Sequence, residues 1–144
     1  PLSFRDPQTA GQRYATRSGN AAACVADIDP DSFFDYSEAL LLNQPLPPEQ
    51  VSLTNDELVS LAQASGVNNL TEVESCINDE RFADWLEEAT VRAMGSGPVP
   101  VRNSQIPIVQ GTPTVLVNGE EYVGTSPADL AAFVASVEDI DGEE

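Results

Sequence analysis

The chain has 144 residues, about one domain and long enough to bury a core. Its 24 acidic residues face 6 bases, a net charge of −18 that disfavours binding to nucleic acid or to anionic membrane surfaces. His is absent, which excludes Ser–His and Cys–His dyads and imidazole metal ligands, and no apolar run is long enough to span a bilayer.

The chain opens on Pro1 rather than Met and shows no signal-peptide pattern, so further sequence is expected upstream. Leu2–Phe4 reads as a short edge or terminal strand, and the "DPQTAG" run that follows reads as a turn. From about Gln12 to Asp27 the spacing of Tyr14, Ala21, Ala22, Val25 and Ile28 predicts a helix. "IDPDS" ends it, with Pro30 placed near the start of a second helix whose apolar face is Phe33, Phe34, Ser37, Leu40 and Leu41. "NQPLPPEQ" is a linker.

Two capping boxes punctuate the middle. Thr54 with Glu57 starts a helix carrying Leu58, Leu61 and Ala62, and Thr71 with Glu74 starts a short one carrying Val73, Cys76 and Ile77. A longer helix over Glu80–Met94 places Phe82, Trp85, Leu86, Ala89 and Ala93 along a core-facing side. The Pro-rich "GSGPVPVRNSQIPIVQ" is extended and leads into "GTPTVLVNGEEYVG". There Val115–Val117 is a strand, Asn118-Gly119 a tight hairpin turn, and Tyr122-Val123 the returning strand. Ser126 caps a last helix with Pro127 at its first position and Leu130, Phe133 and Val137 on its buried face. The tail, "EDIDGEE", reads as solvated.

Few residues offer chemistry. Cys24 and Cys76 are too far apart for a CxxC motif and too few for a structural zinc site, which leaves buried free thiols or one disulfide. Pro113 at the head of a strand is either a trans-proline at a sheet edge or a cis-proline placed for function. The carboxylates of "DIDPDS" and the tail lack a calcium-loop pattern, and Glu87-Glu88 point about 100° apart on a helix. No metal site and no cofactor are expected.

"GTPTVLVNG" followed by "YVG" and an amphipathic helix resembles the closing half of a thioredoxin-fold protein. With "RYATRSGNAAACVADIDPDSFFDY", "LTNDELVSLAQASGV" and "ESCINDERFADWLEEAT", nearly the whole chain is similar to the DsbA-like thiol-disulfide oxidoreductases of high-GC Gram-positive bacteria. The resemblance implies an incomplete α/β thioredoxin-like fold over residues 1–137. It comprises a multi-helix insertion over 6–95, a closing β-hairpin and helix over 106–137, and an acidic tail at 138–144. The family's CxxC-bearing central strand and helix have no counterpart here, so this chain alone is not expected to be catalytic.

The resemblance further implies that Pro113 is the family's cis-proline, with the Thr112 backbone open to an extended or unfolded protein substrate, and that Cys24 and Cys76 form a structural disulfide. It implies an extracytoplasmic setting, in the cell envelope or secreted. The absent central strand leads to the expectation of strand-mediated self-association, or else of a detached Pro1–Arg5 segment. Two other readings stay open. One is a non-catalytic peptide-binding or scaffold module with a thioredoxin-like groove. The other is an acidic helical interaction domain, with trans Pro113 and free thiols.

Overall fold

The computed structural model describes residues 3–6, 12–44, 52–96 and 108–138. The expected turn at 7–11, most of the two Pro-rich linkers and most of the tail lie outside these residues. The chain divides into two compact units, Pro1–Thr90 and Val91–Glu144.

The first unit is helical. Helix α1 runs over Tyr14–Ile28 and packs against α2 (Phe33–Leu42), α3 (Asn55–Ala64) and α4 (Leu70–Asn78). It suits this central place because Gly19, Ala21 and Ala22 are buried on it, and small side chains let neighbouring helices approach closely. Val25 on α1 packs in one core with Tyr36, Leu58, Ala62, Val73 and Ile77, all buried. Tyr36 keeps its hydroxyl satisfied there by donating to the Leu58 carbonyl at 3.1 Å. Burial of the ring raises its pKa, so the phenol stays neutral.

Local chemistry explains most element ends. The Thr54–Glu57 capping box forms in both directions. Helix α3 ends on Gly66 at φ +87°, with Gly66 N–H bonded to Gln63 and Val67 N–H to Ala62, which satisfies two terminal carbonyls. A 3-10 turn at Pro30–Ser32 precedes α2, consistent with the fixed φ of proline.

Ahead of the hairpin, four expectations need correction. Ser3–Asp6 form a turn and a short 3-10 stretch instead of a strand, and they are tied down: Ser3 N–H donates to Thr90 Oγ1 at 2.9 Å and Asp6 accepts from Thr16. On α2 the buried face is Tyr36 and Leu40 with Phe33 half-buried, while Phe34 and Leu41 face solvent about 100° around the axis. Thr71 does not cap α4, which begins one residue earlier with Asn69 as its N-cap.

The fourth concerns α5, which covers Ala83–Val91 instead of Glu80–Met94 and continues as a π-helical turn at Arg92–Ser96. Glu80 stands at φ +47°, a left-handed conformation that stops α4. It sets α5 in a register that buries Ala83, Leu86 and Thr90 and leaves Trp85 half exposed.

The second unit holds a hairpin of β1 (Leu116–Val117) and β2 (Glu120–Glu121), paired Leu116 to Glu121 and Val117 to Glu120. Asn118 and Gly119 take φ +50° and +89°, as a type I′ turn requires. The return strand therefore starts at Glu120, two residues before the predicted Tyr122-Val123, although Tyr122 N–H still bonds Val115 at 2.9 Å. Helix α6 (Pro127–Glu138) is capped by Ser126, whose Oγ accepts from Asp129 N–H at 3.1 Å. Tyr122 donates to the Ser126 carbonyl and lies 5.6 Å from the Phe133 ring, and a side chain at Gly124 would meet the Tyr122 ring.

Candidate functional site

The sequence singles out two places, one in each unit. In the second, Gly111, Thr112 and Pro113 are all exposed just ahead of β1. The Thr112-Pro113 peptide bond is cis. Thr114 Oγ1 donates to the Gly111 carbonyl at 2.7 Å, closing the turn around the proline. The arrangement presents main chain to solvent beside a strand, a form that an extended polypeptide can pair with.

In the first unit, Cys24 on α1 and Cys76 on α4 are bridged, with Cα atoms 5.9 Å apart and both residues fully buried. Each sits on the inward stripe of its helix, so the bridge joins two helices already packed together. Thiol–disulfide exchange needs an attacking thiolate to reach a sulfur, and full burial closes that route in the folded chain. The two cysteines stand 52 positions apart, and no CxxC occurs in the 144 residues.

Asn20, one turn before Cys24, is buried and completes this region. Its Nδ2 donates to the Ile77 carbonyl at 3.3 Å, and its Oδ1 accepts from Phe82 N–H at 2.8 Å. The side chain thereby holds the α4–α5 turn against α1. Arg17 plays a similar part towards α3: Nη1 donates to the Leu53 carbonyl at 2.8 Å and to Asn55 Oδ1 at 3.1 Å, and Nε to the Gln12 carbonyl at 2.8 Å. Sequence periodicity marks neither, since polar residues at buried helical positions break the apolar pattern used to find them. Asp6 is a third such residue, bonding Thr16 in the first turn of α1, where Arg13 at φ +46° supplies no side-chain cap.

Every resolved shift in pKa points away from neutrality. Hydrogen bonds from the Asn68 backbone, and then Ser32 and the Asn68 side chain, lower Asp29. The Thr54 backbone and hydroxyl lower Glu57. Burial raises Tyr14 and Tyr36, and a hydrogen bond to Glu87, with Glu80 nearby, raises Arg13. None of these groups is poised to exchange protons near pH 7. Three of the carboxylates noted above have structural partners: Asp29 binds Ser32 and Asn68, Asp27 lies 3.6 Å from Arg81, and Glu87 pairs with Arg13. Among the described residues no cluster of metal-ligating side chains occurs, and no helix is long and apolar enough to cross a membrane.

The chain as a whole matches a known family. Residues 2–139 match the family model described as Thioredoxin, and the chain belongs to that family. More narrowly, it is similar to two solved structures of Mycobacterium tuberculosis proteins. The crystal structure of oxidized DsbA has a TM-score of 0.70 and 29% identity, over 94% of this chain and 61% of that one. The reduced form of the disulfide bond oxidoreductase DsbG has a TM-score of 0.71 and 29% identity, over 94% of this chain and 58% of that one. The chain thus spans about three fifths of the length of either. The comparison with curated proteins found no match.

Proposed function

We propose that this chain is the helical and substrate-facing portion of a protein thiol–disulfide oxidoreductase acting on exported proteins, and that the redox dithiol is carried by parts of the parent outside these 144 residues. The observation that carries the reading is its similarity to DsbA and DsbG along 94% of its own length. The absence of CxxC within the chain, and the matching of only 61% and 58% of those two proteins, support placing the reactive pair elsewhere. On this reading the thioredoxin-like α/β fold is incomplete here, without its CxxC-bearing central strand and helix.

The chemistry of such a parent is an exchange. A substrate thiolate attacks the enzyme's disulfide, forming a mixed disulfide and releasing one enzyme thiolate. The substrate's second thiolate then displaces the enzyme sulfur, leaving the substrate oxidised and the enzyme dithiol reduced. This chain contributes the exposed main chain at Thr112 and Pro113, along which an extended substrate lies. The Cys24–Cys76 bridge takes no part and serves as a structural staple. Its persistence fits an oxidising, extracytoplasmic setting.

The test compares the 144-residue chain with its full-length parent in reduction of insulin by dithiothreitol. The expected result is no acceleration by the chain and acceleration by the parent, lost when the parent's dithiol is replaced by serine. Acceleration by the chain alone would overturn the assignment of the chemistry to other parts. A parent that is also inactive, yet binds unfolded protein, would replace the enzyme by a peptide-binding module.

A further inference from the structure

Helix α2 is apolar on more of its surface than the core uses. Phe33, Tyr36 and Leu40 face inward, yet Phe34 is 80% exposed, Leu41 67% and Leu42 78%. At 100° per residue, Leu41, Phe34, Glu38, Leu42 and Asp35 follow one another around the outward side, so the apolar side chains form one stripe with Glu38 inside it and Asp35 at its edge. The stripe runs into an open groove of about 350 Å³ between α2 and α3, lined by Asp35, Glu38, Ala39, Leu42, Ala64 and Ser65.

Charge identifies what fits this surface. Between Arg17 and Arg81 the sequence holds twelve acidic residues and no Lys, Arg or His. Among the described residues no ion pair engages Asp31, Asp35 or Glu38. A second copy would bring the same carboxylates against one another. A positively charged segment gains from them and steers towards them. Phe34 to Leu42 rise about 12 Å along the helix, a length matched by two turns of an amphipathic partner helix.

We propose that the outer side of α2, with its groove against α3, docks a basic amphipathic segment of a partner protein. Apolar side chains of that segment, spaced three and four residues apart, cover Phe34, Leu41 and Leu42, and its Lys or Arg side chains pair with Asp35 and Glu38. The surface belongs to the first unit and the Thr112-Pro113 turn to the second, and its occupancy does not depend on any redox step.

The test is fluorescence anisotropy with a labelled amphipathic Leu/Lys peptide of about fourteen residues at about 0.15 M salt, where long-range attraction between exposed charges is largely screened. Phe34→Ser with Leu42→Ser, and separately Asp35→Asn with Glu38→Gln, are each expected to weaken binding about tenfold or more. Glu72→Gln with Glu74→Gln removes two exposed charges from α4 and is expected to leave affinity within about twofold. All six side chains are exposed, so unchanged circular dichroism melts are expected to show that the fold survives. Equal losses in the α4 variant, no loss in the Phe34/Leu42 or the Asp35/Glu38 variant, equal binding of a control peptide in which every Lys is replaced by Glu, or no binding at all would overturn the proposal. So would a dimer of the chain that the Phe34/Leu42 variant abolishes.

Discussion

At the scale of single residues, Asn20 is the side chain whose removal should be felt most for its size. It serves one donor and one acceptor of the backbone where α4 turns into α5, and no water has easy access to take its place. Asn20→Ala is expected to destabilise the chain by about 2 kcal/mol, the cost of leaving buried polar groups unpaired. Denaturant unfolding monitored by far-UV circular dichroism checks this, and a change below about 0.5 kcal/mol would remove the clip from the account. Residues of this kind were not legible in the sequence. Asn20 lies within an apolar pattern that predicts a helix correctly, and nothing local says that its amide reaches 57 and 62 positions ahead. Arg17 and Asp6 escape notice for the same reason, since their partners are set by packing.

At the scale of elements, ends were legible where a side chain acts on its own helix. The Thr54–Glu57 box, the Asn118-Gly119 turn and the Ser126 cap all form as their residues demand. Thr71 and the α5 register were not legible: α4 starts ahead of Thr71, with Asn69 at the N-cap position making no side-chain cap bond, and Glu80 adopts a left-handed conformation that no propensity predicts. Two predictions belong here. Replacing Cys24 and Cys76 together by Ala unlinks α1 from α4, and the chain-entropy model puts the loss at about 4 kcal/mol for a loop of 52 residues. Comparing urea midpoints of the variant and the oxidised chain measures it.

The second concerns acid. Asp29 and Glu57 have folded pKa values below their unfolded ones, so their stabilisation is fully present above the unfolded values. It is lost as pH falls through the folded values, and the window opens below about pH 5. The paired variant Asp29→Asn, Glu57→Gln is expected to close on the parent chain in stability as pH drops from about 6 to 3. A constant gap across that range would contradict the linkage.

At the scale of the whole molecule, charge is the dominant feature. The net −18 acts through self-repulsion, and the ion pairs of Arg13 and Arg81 are exposed and contribute little against it. Raising ionic strength from about 0.01 to 0.15 M shortens the screening length from about 30 to 8 Å. The melting temperature is therefore expected to rise by roughly 3 °C. A fall on adding salt would mean that the exposed pairs outweigh the repulsion. The family was legible at this scale because several segments agree in order along the chain, and residues 2–139 match the family model. The exposure of Phe34 and Leu41 was not, because apolar residues on a helix read alike whether they face a core or await a partner.

The bridge between α1 and α4 also fixes how the chain behaves as a mechanical object. Pulled from its two ends, it can yield length only from residues outside the span Cys24–Cys76, because tension passes directly through the sulfurs. The withheld span, 52 positions long, corresponds to roughly 180 Å of extended chain. In a single-molecule stretching experiment that length stays hidden until a reductant is added, and α2 and α3, lying wholly inside the span, carry no load before then.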